Sequence, residues 1–159
     1  MNLPVQTAAA MSPLFNAFPP EQAMAQLVVK DTPSRAVAEQ VEAVLKDPAL
    51  SRPVLQSAVW LYVDDLDRSH VVSQGIDDST GSFWHGIMHR REGDFPNSHY
   101  WFNKVGDHPA FARIGHYDPH EFVTAVESKY QSDPADLIAI QRREWEELFR
   151  WCSEQGEES

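Results

Sequence analysis

The chain has 159 residues, 42% of them hydrophobic, and thirteen basic against twenty-four acidic residues leave a net charge of −11. That length suits one domain burying roughly 70% of its unfolded surface without a disulfide or structural metal, and five Trp with eight Phe belong to a globular rather than a disordered protein. The charge repels phosphate backbones and anionic lipid, which excludes nucleic acid and membrane surfaces as expected partners.

Residues 1–18, rich in Ala and Pro, read as a weakly ordered arm. With no Lys or Arg before Lys30 they lack the charged start of a secretory leader. A short "LVVK" at 27–30 is the one stretch with strand character. "DTPSRAVAEQVEAVL" starts at Thr32 and Pro33 and sets Val37, Val41, Val44 and Leu45 on one face of an amphipathic helix. "PVLQSAVWLYVDDLDRSHVVSQ" reads as one continuous helix, with Leu55, Val59, Val63 and Leu66 at helical spacing and Gly75 as its stop. The run "DDLD" at 64–67 is then a solvated helical face.

"STGSFWHGIMHRRE" forms the next helix, closed by Gly93, and "DFPNSHYWFNKVG" follows from Asp94 and Pro96 to Gly106. "YDPHEFVTAVESKY" carries a capping box, with Asp118 as cap, Pro119 at the first helical position and Glu121 three residues on. "SDPADLIAIQRREWEELFRWC" repeats the Asp–Pro start at Asp133 and Pro134 and aligns Ile138, Gln141, Trp145, Leu148 and Cys152 along a long helix. Residues 154–159 form an acidic tail. The expected fold is all-α, a single bundle-like domain of six or seven helices over residues 19–153.

Cys152, the single cysteine, has no internal disulfide partner and sits among apolar residues as a packed thiol. No apolar run approaches the roughly 20 residues that span a bilayer. These features point to a cytoplasmic protein without membrane association.

Chemistry concentrates in "SFWHGIMHRREGDFPNSHYWF", residues 82–102. At about 100° per residue, Phe83, Trp84, Ile87 and Met88 form an apolar stripe, while His85, His89 and Glu92 share another side. Two imidazoles one turn apart with a nearby carboxylate suit a general acid–base site or a metal. The motif lacks the glutamate of HExxH, so whether any metal or other cofactor binds stays open. Arg91 falls in the apolar stripe, where it either snorkels outward or pairs internally with Asp94 or an acid of the preceding helix. His70 continues the stripe of Val59, Val63 and Leu66, and Asp67 stands ready to orient its ring. A chain reversal between Gly75 and Gly81 brings His70 toward His85. His99, His108, His116 and His120 read as turn residues, and Trp84, Tyr100, Trp101 and Phe102 as core aromatics or pocket walls.

The core "WHGIMHRREGDFPNSHYWFNKVGDHP", with the upstream "DDLDRSH", resembles a family of bacterial and fungal proteins defined by a WHGIMHRREGDxxNSxYW-type motif. The resemblance covers about a third of the chain. It implies a shared polar site and brings no activity with it.

Two readings follow. In the first, His85, His89 and Glu92 act as catalytic groups, and as metal ligands if a metal is bound. His70, Arg91, Asp94, Asn97 and Tyr100 bind a small polar or anionic molecule, and the reaction is a metal-assisted hydrolysis or another proton transfer. In the second, the polar run is a structural network between helices of a non-catalytic interaction module, with Asp94 and Asn97 as caps and the arginines paired to acids.

Overall fold

The computed structural model describes residues 1–156 and is all-helical, with nine α-helices and no strand among the described residues. They are α1 (Val5–Ala17), α2 (Arg35–Val44), α3 (Pro53–Tyr62), α4 (Leu66–Ser73), α5 (Ser79–Glu92), α6 (Phe95–Val105), α7 (Ala110–Ile114), α8 (Pro119–Lys129) and α9 (Ala135–Gln155), with a 3-10 turn at Pro48–Leu50. No helix is long and apolar enough to cross a membrane.

Side-chain caps set most of the helix starts. Asp65, Asp78, Asp94 and Asp118 each accept the backbone N–H three residues on, at the heads of α4, α5, α6 and α8. Ser34, not Thr32, caps α2, accepting from Val37 N. Pro134 begins α9 without a side-chain cap. Gly93 ends α5 in the left-handed region, φ 86°, which suits a residue without Cβ.

The described residues form nine helices rather than six or seven, and two larger expectations fail. The first is the arm: residues 5–17 form α1, which buries Ala10, Met11 and Leu14 and packs on α2 and the 3-10 turn. Its apolar side chains are few, but burying them completely outweighs the cost of ordering the segment. The second is the long helix at 53–74, which breaks into α3 and α4. Asp64 takes a left-handed backbone, φ 67°, and Asp65, 1% exposed, restarts the chain as the α4 cap and pairs with Arg68 at 2.7 Å. "DDLD" is therefore a helix break with one buried acid, not a solvated face. The "LVVK" segment forms no strand; Val29 N donates to Arg91 O at 2.7 Å. Of the expected tail, Glu154 and Gln155 belong to α9, and residues 157–159 lie outside the described residues.

The core is built around α5, which packs against α3, α4 and α6, while α9 packs against α3, α7 and α8. Trp84, Trp145, Phe83, Phe149, Tyr62, Leu61 and Leu148 are almost fully buried there.

Candidate metal centre

The sequence gives α5 an apolar stripe and a polar side. The structure buries every residue of it from Thr80 to Arg91. A helix with no solvent face obliges each of its polar side chains to find an internal partner, and most do.

Arg90, fully buried, holds Glu144 of α9 through both Nη atoms at 2.9 and 2.7 Å and also reaches Gln141 Oε1 at 3.3 Å. Its guanidinium lies 4.4 Å from the centre of the Phe122 ring. Tyr117 donates its hydroxyl to the same Glu144 carboxylate, and burial with that negative charge raises the phenol well above its ordinary range. Arg91 pairs with Asp64 at 2.6 Å and donates to Leu61 O and Gln26 O. The acid it finds is the one in the α3–α4 break, not Asp94. Its terminal nitrogens are all engaged inside the core, so Arg91 is not placed to bind a ligand.

The histidines differ. His70 on α4 and His85 and His89 on α5 form a triangle, with ring centres 4.7, 5.5 and 4.8 Å apart for the pairs 70–85, 70–89 and 85–89. One ligating nitrogen from each lies within 4.8 Å of the others. Tetrahedral zinc needs nitrogens about 3.3 Å apart, so the side chains would draw together around an ion. His89 shares a 2.6 Å hydrogen bond with Glu92 through Nδ1, which leaves Nε2 as its free nitrogen. A ligating oxygen of Asp94 also lies within 4.8 Å of His89 and Glu92.

His85 is buried, and its Nδ1 has no hydrogen-bond partner among the described residues. Burial, then the neighbouring His89, His70 and Lys104, push its pKa down to about 3, so the ring is neutral near pH 7 with a lone pair free for an electrophile. Trp101 of α6 stacks on it with ring centres 3.7 Å apart. His70 is the half-buried member of the triangle.

His70, His85, His89 and Glu92 thus meet as the sequence suggests, with Asp94 at their edge. Asn97 and Tyr100 do not join them. Asn97 is exposed and bonded to the Asp94 cap through Nδ2 at 2.8 Å. Tyr100, 52% exposed, touches Trp101 and Lys104. Asp67 makes no hydrogen bond to His70 among the described residues; it is exposed at the first turn of α4.

Lys104, the cation beside His85, escaped the sequence reading, whereas Trp101, read as a core aromatic or pocket wall, forms the wall of the site. How Trp101 gets there is explained by Gly86. A Cβ there would stand 2.9 Å from the Phe102 ring, so the glycine lets α6 approach α5 closely enough to lay Trp101 on His85. No family model, curated protein or solved structure matches the chain.

Proposed function

We propose that His70, His85 and His89 hold a divalent transition-metal ion and that the protein is a metal-assisted hydrolase of a small polar substrate. The observation that carries this reading is the buried, neutral, unpartnered imidazole of His85 set between two further histidines. A buried polar atom without a partner destabilises the fold by about 1–3 kcal/mol, and a metal bound at His85 Nδ1 would remove that penalty.

Three histidines leave a coordination position open, where a bound ion would lower the pKa of water and polarise a scissile bond. Glu92 holds the tautomer and orientation of His89, a task that keeps the ligand basic. Asp94 lies close enough to take up a proton from the same region. Lys104 replaces the arginines as the cation available to a developing negative charge, because Arg90 and Arg91 are locked in core ion pairs. Those two ion pairs support the structural reading for the arginine half of the motif, and the metal reading concerns the histidine half alone. Burial pushes the Cys152 thiol up to about 12, so it stays protonated, which suits a reducing compartment such as the cytoplasm.

The test is metal analysis of protein purified without a polyhistidine tag, alongside His85→Ala/His89→Ala. Near-stoichiometric zinc, manganese, iron or nickel that disappears in the double variant is expected, together with hydrolysis of a chromogenic ester or phosphoester panel that returns when the stripped protein is reloaded. A protein that takes up no metal even on reconstitution overturns the proposal.

A further inference from the structure

One cavity lies away from the histidines and needs no metal. It measures about 480 Å³ and is walled by Phe18, Met24, Val29, Val37 and Val63, with the carboxylates of Asp31 and Asp64 on its lining. Its size falls within the range of small-molecule sites, as does its mainly apolar wall with a few polar groups.

One wall is the stretch 23–26, which has no regular helix of its own and is held from behind by side chains of α5 and α9. Arg142 donates to Ala23 O at 2.8 Å, Gln141 to Met24 O at 3.0 Å and to Gln26 O at 3.1 Å, and Arg91 to Gln26 O at 3.2 Å. Met24 is thereby kept in the left-handed region, φ 53°, a conformation that a non-glycine residue keeps only when its surroundings impose it. The cavity is therefore preformed, and a ligand entering it need not order the wall.

The charged side chains on the lining have one sign. Asp31 has no hydrogen-bond or ion-pair partner among the described residues, and Asp64 gives only Oδ1 to Arg91, leaving Oδ2 free. A second hollow of about 140 Å³ shares Val29, Asp31, Pro33 and Asp64 with the first and adds Asp65, Asp67 and Glu92, against Lys30 as the one basic side chain on its wall. An apolar chamber with two incompletely paired carboxylates, opening beside further acids, repels carboxylates and phosphates and attracts a cation with an apolar body.

We infer that this cavity binds a small hydrophobic ammonium ion, its alkyl or aryl part against Met24, Val37 and Val63 and its charged nitrogen on Asp31 and Asp64. The nitrogen donates hydrogen bonds to the two carboxylates. The apolar part replaces water on the wall. The chemistry is independent of the histidine centre.

The test is isothermal titration of the full chain, in the presence of a chelator, with hexylammonium and 2-phenylethylammonium and, as controls of equal size, hexanol and hexanoate. One-to-one binding of the ammonium compounds is expected, with the controls at least tenfold weaker. Asp31→Asn, an exposed isosteric change that leaves the fold intact, should weaken the ammonium compounds roughly tenfold or more and leave hexanol unchanged. Methyl NMR should show the Met24 signal shifting with saturation, and Val37→Trp, checked for an unchanged far-ultraviolet spectrum, should abolish both effects. Equal binding of hexanol or hexanoate, ammonium binding indifferent to Asp31→Asn, or a Met24 methyl that does not respond would each overturn the assignment. Because the chelator removes any metal, neither result bears on the histidine site.

Discussion

Arg90 and Arg91 are adjacent in sequence, equally buried, and fastened to different parts of the molecule, Glu144 on α9 and Asp64 at the α3–α4 break. A buried guanidinium is tolerable only beside its acid. Arg90→Met leaves Glu144 uncompensated in the core and should lower the unfolding free energy by about 3–5 kcal/mol in a urea titration. The double variant Arg90→Met/Glu144→Met should recover much of that loss, since no isolated charge remains. A double-variant loss equal to the sum of the two single-variant losses would show that the two groups are not energetically coupled. Arg90→Lys should behave more like Arg90→Met than like the parent, because an ammonium cannot reproduce the two-pronged contact with the carboxylate.

The interlocking of α5 with its neighbours depends on two glycines that lack room for a Cβ. At Gly81 the added atom would meet the backbone oxygen of Ile76 at 2.4 Å; at Gly86 it would meet the Phe102 ring at 2.9 Å. A ring can tilt, whereas a backbone carbonyl moves only with its chain. Gly86→Ala should therefore cost about 1–3 kcal/mol, offset in part by the better helix propensity of alanine, and Gly81→Ala should cost more. Thermal and urea unfolding of the two variants give the order, and the reverse order would show that α6 is the more rigid neighbour. The starts of α6 and α8 were legible because an aspartate three residues before its N–H partner is local chemistry. The break between α3 and α4 was not, because the spacing of Val59, Val63, Leu66 and His70 is helical throughout and Asp64 is held in place by Arg91, 27 residues away. The same limit explains the site. His85, His89 and Glu92 lie on one helix and their proximity follows from its pitch. Asn97 and Tyr100 seemed to belong with them by sequence proximity, but the Asp94 cap starts a new helix that points both outward. Trp101 reaches His85 only through the close packing that Gly86 permits.

Across the whole chain, acid stability should be set by histidines that hold helices together in their neutral form. Buried His108 accepts Ala110 N at Nδ1 and contacts Thr80 Oγ1 through Nε2, joining the heads of α7 and α5; a second proton on its ring would displace the first contact. His99 of α6 and His120 of α8 face each other with 2.8 Å between their Nδ1 atoms, room for one shared proton and not for two charges. Burial pushes His108 down, and burial followed by His120 pushes His99 down. A pKa lowered on folding means that the unfolded chain takes up the proton first. Stability from these groups is therefore full above about pH 6.5 and declines as pH falls below it, toward their folded values. Relief of the −11 net charge works the other way, but a free carboxylate has its pKa near 4, below this window. Melting temperature measured with a chelator from pH 8 to 5 should fall through the lower half of that range. His108→Asn, whose amide oxygen can still accept from Ala110, should make the fall shallower, and an unchanged slope would remove His108 from the account. The left-handed turn at Asp64 has a further consequence for which lengths of chain the fold can accept. A residue inserted or deleted between α3 and α4 would shift Asp64 off Arg91 and change the direction in which α4 leaves α3, turning His70 away from its partners. The spacing from Tyr62 to His70 should therefore be held fixed.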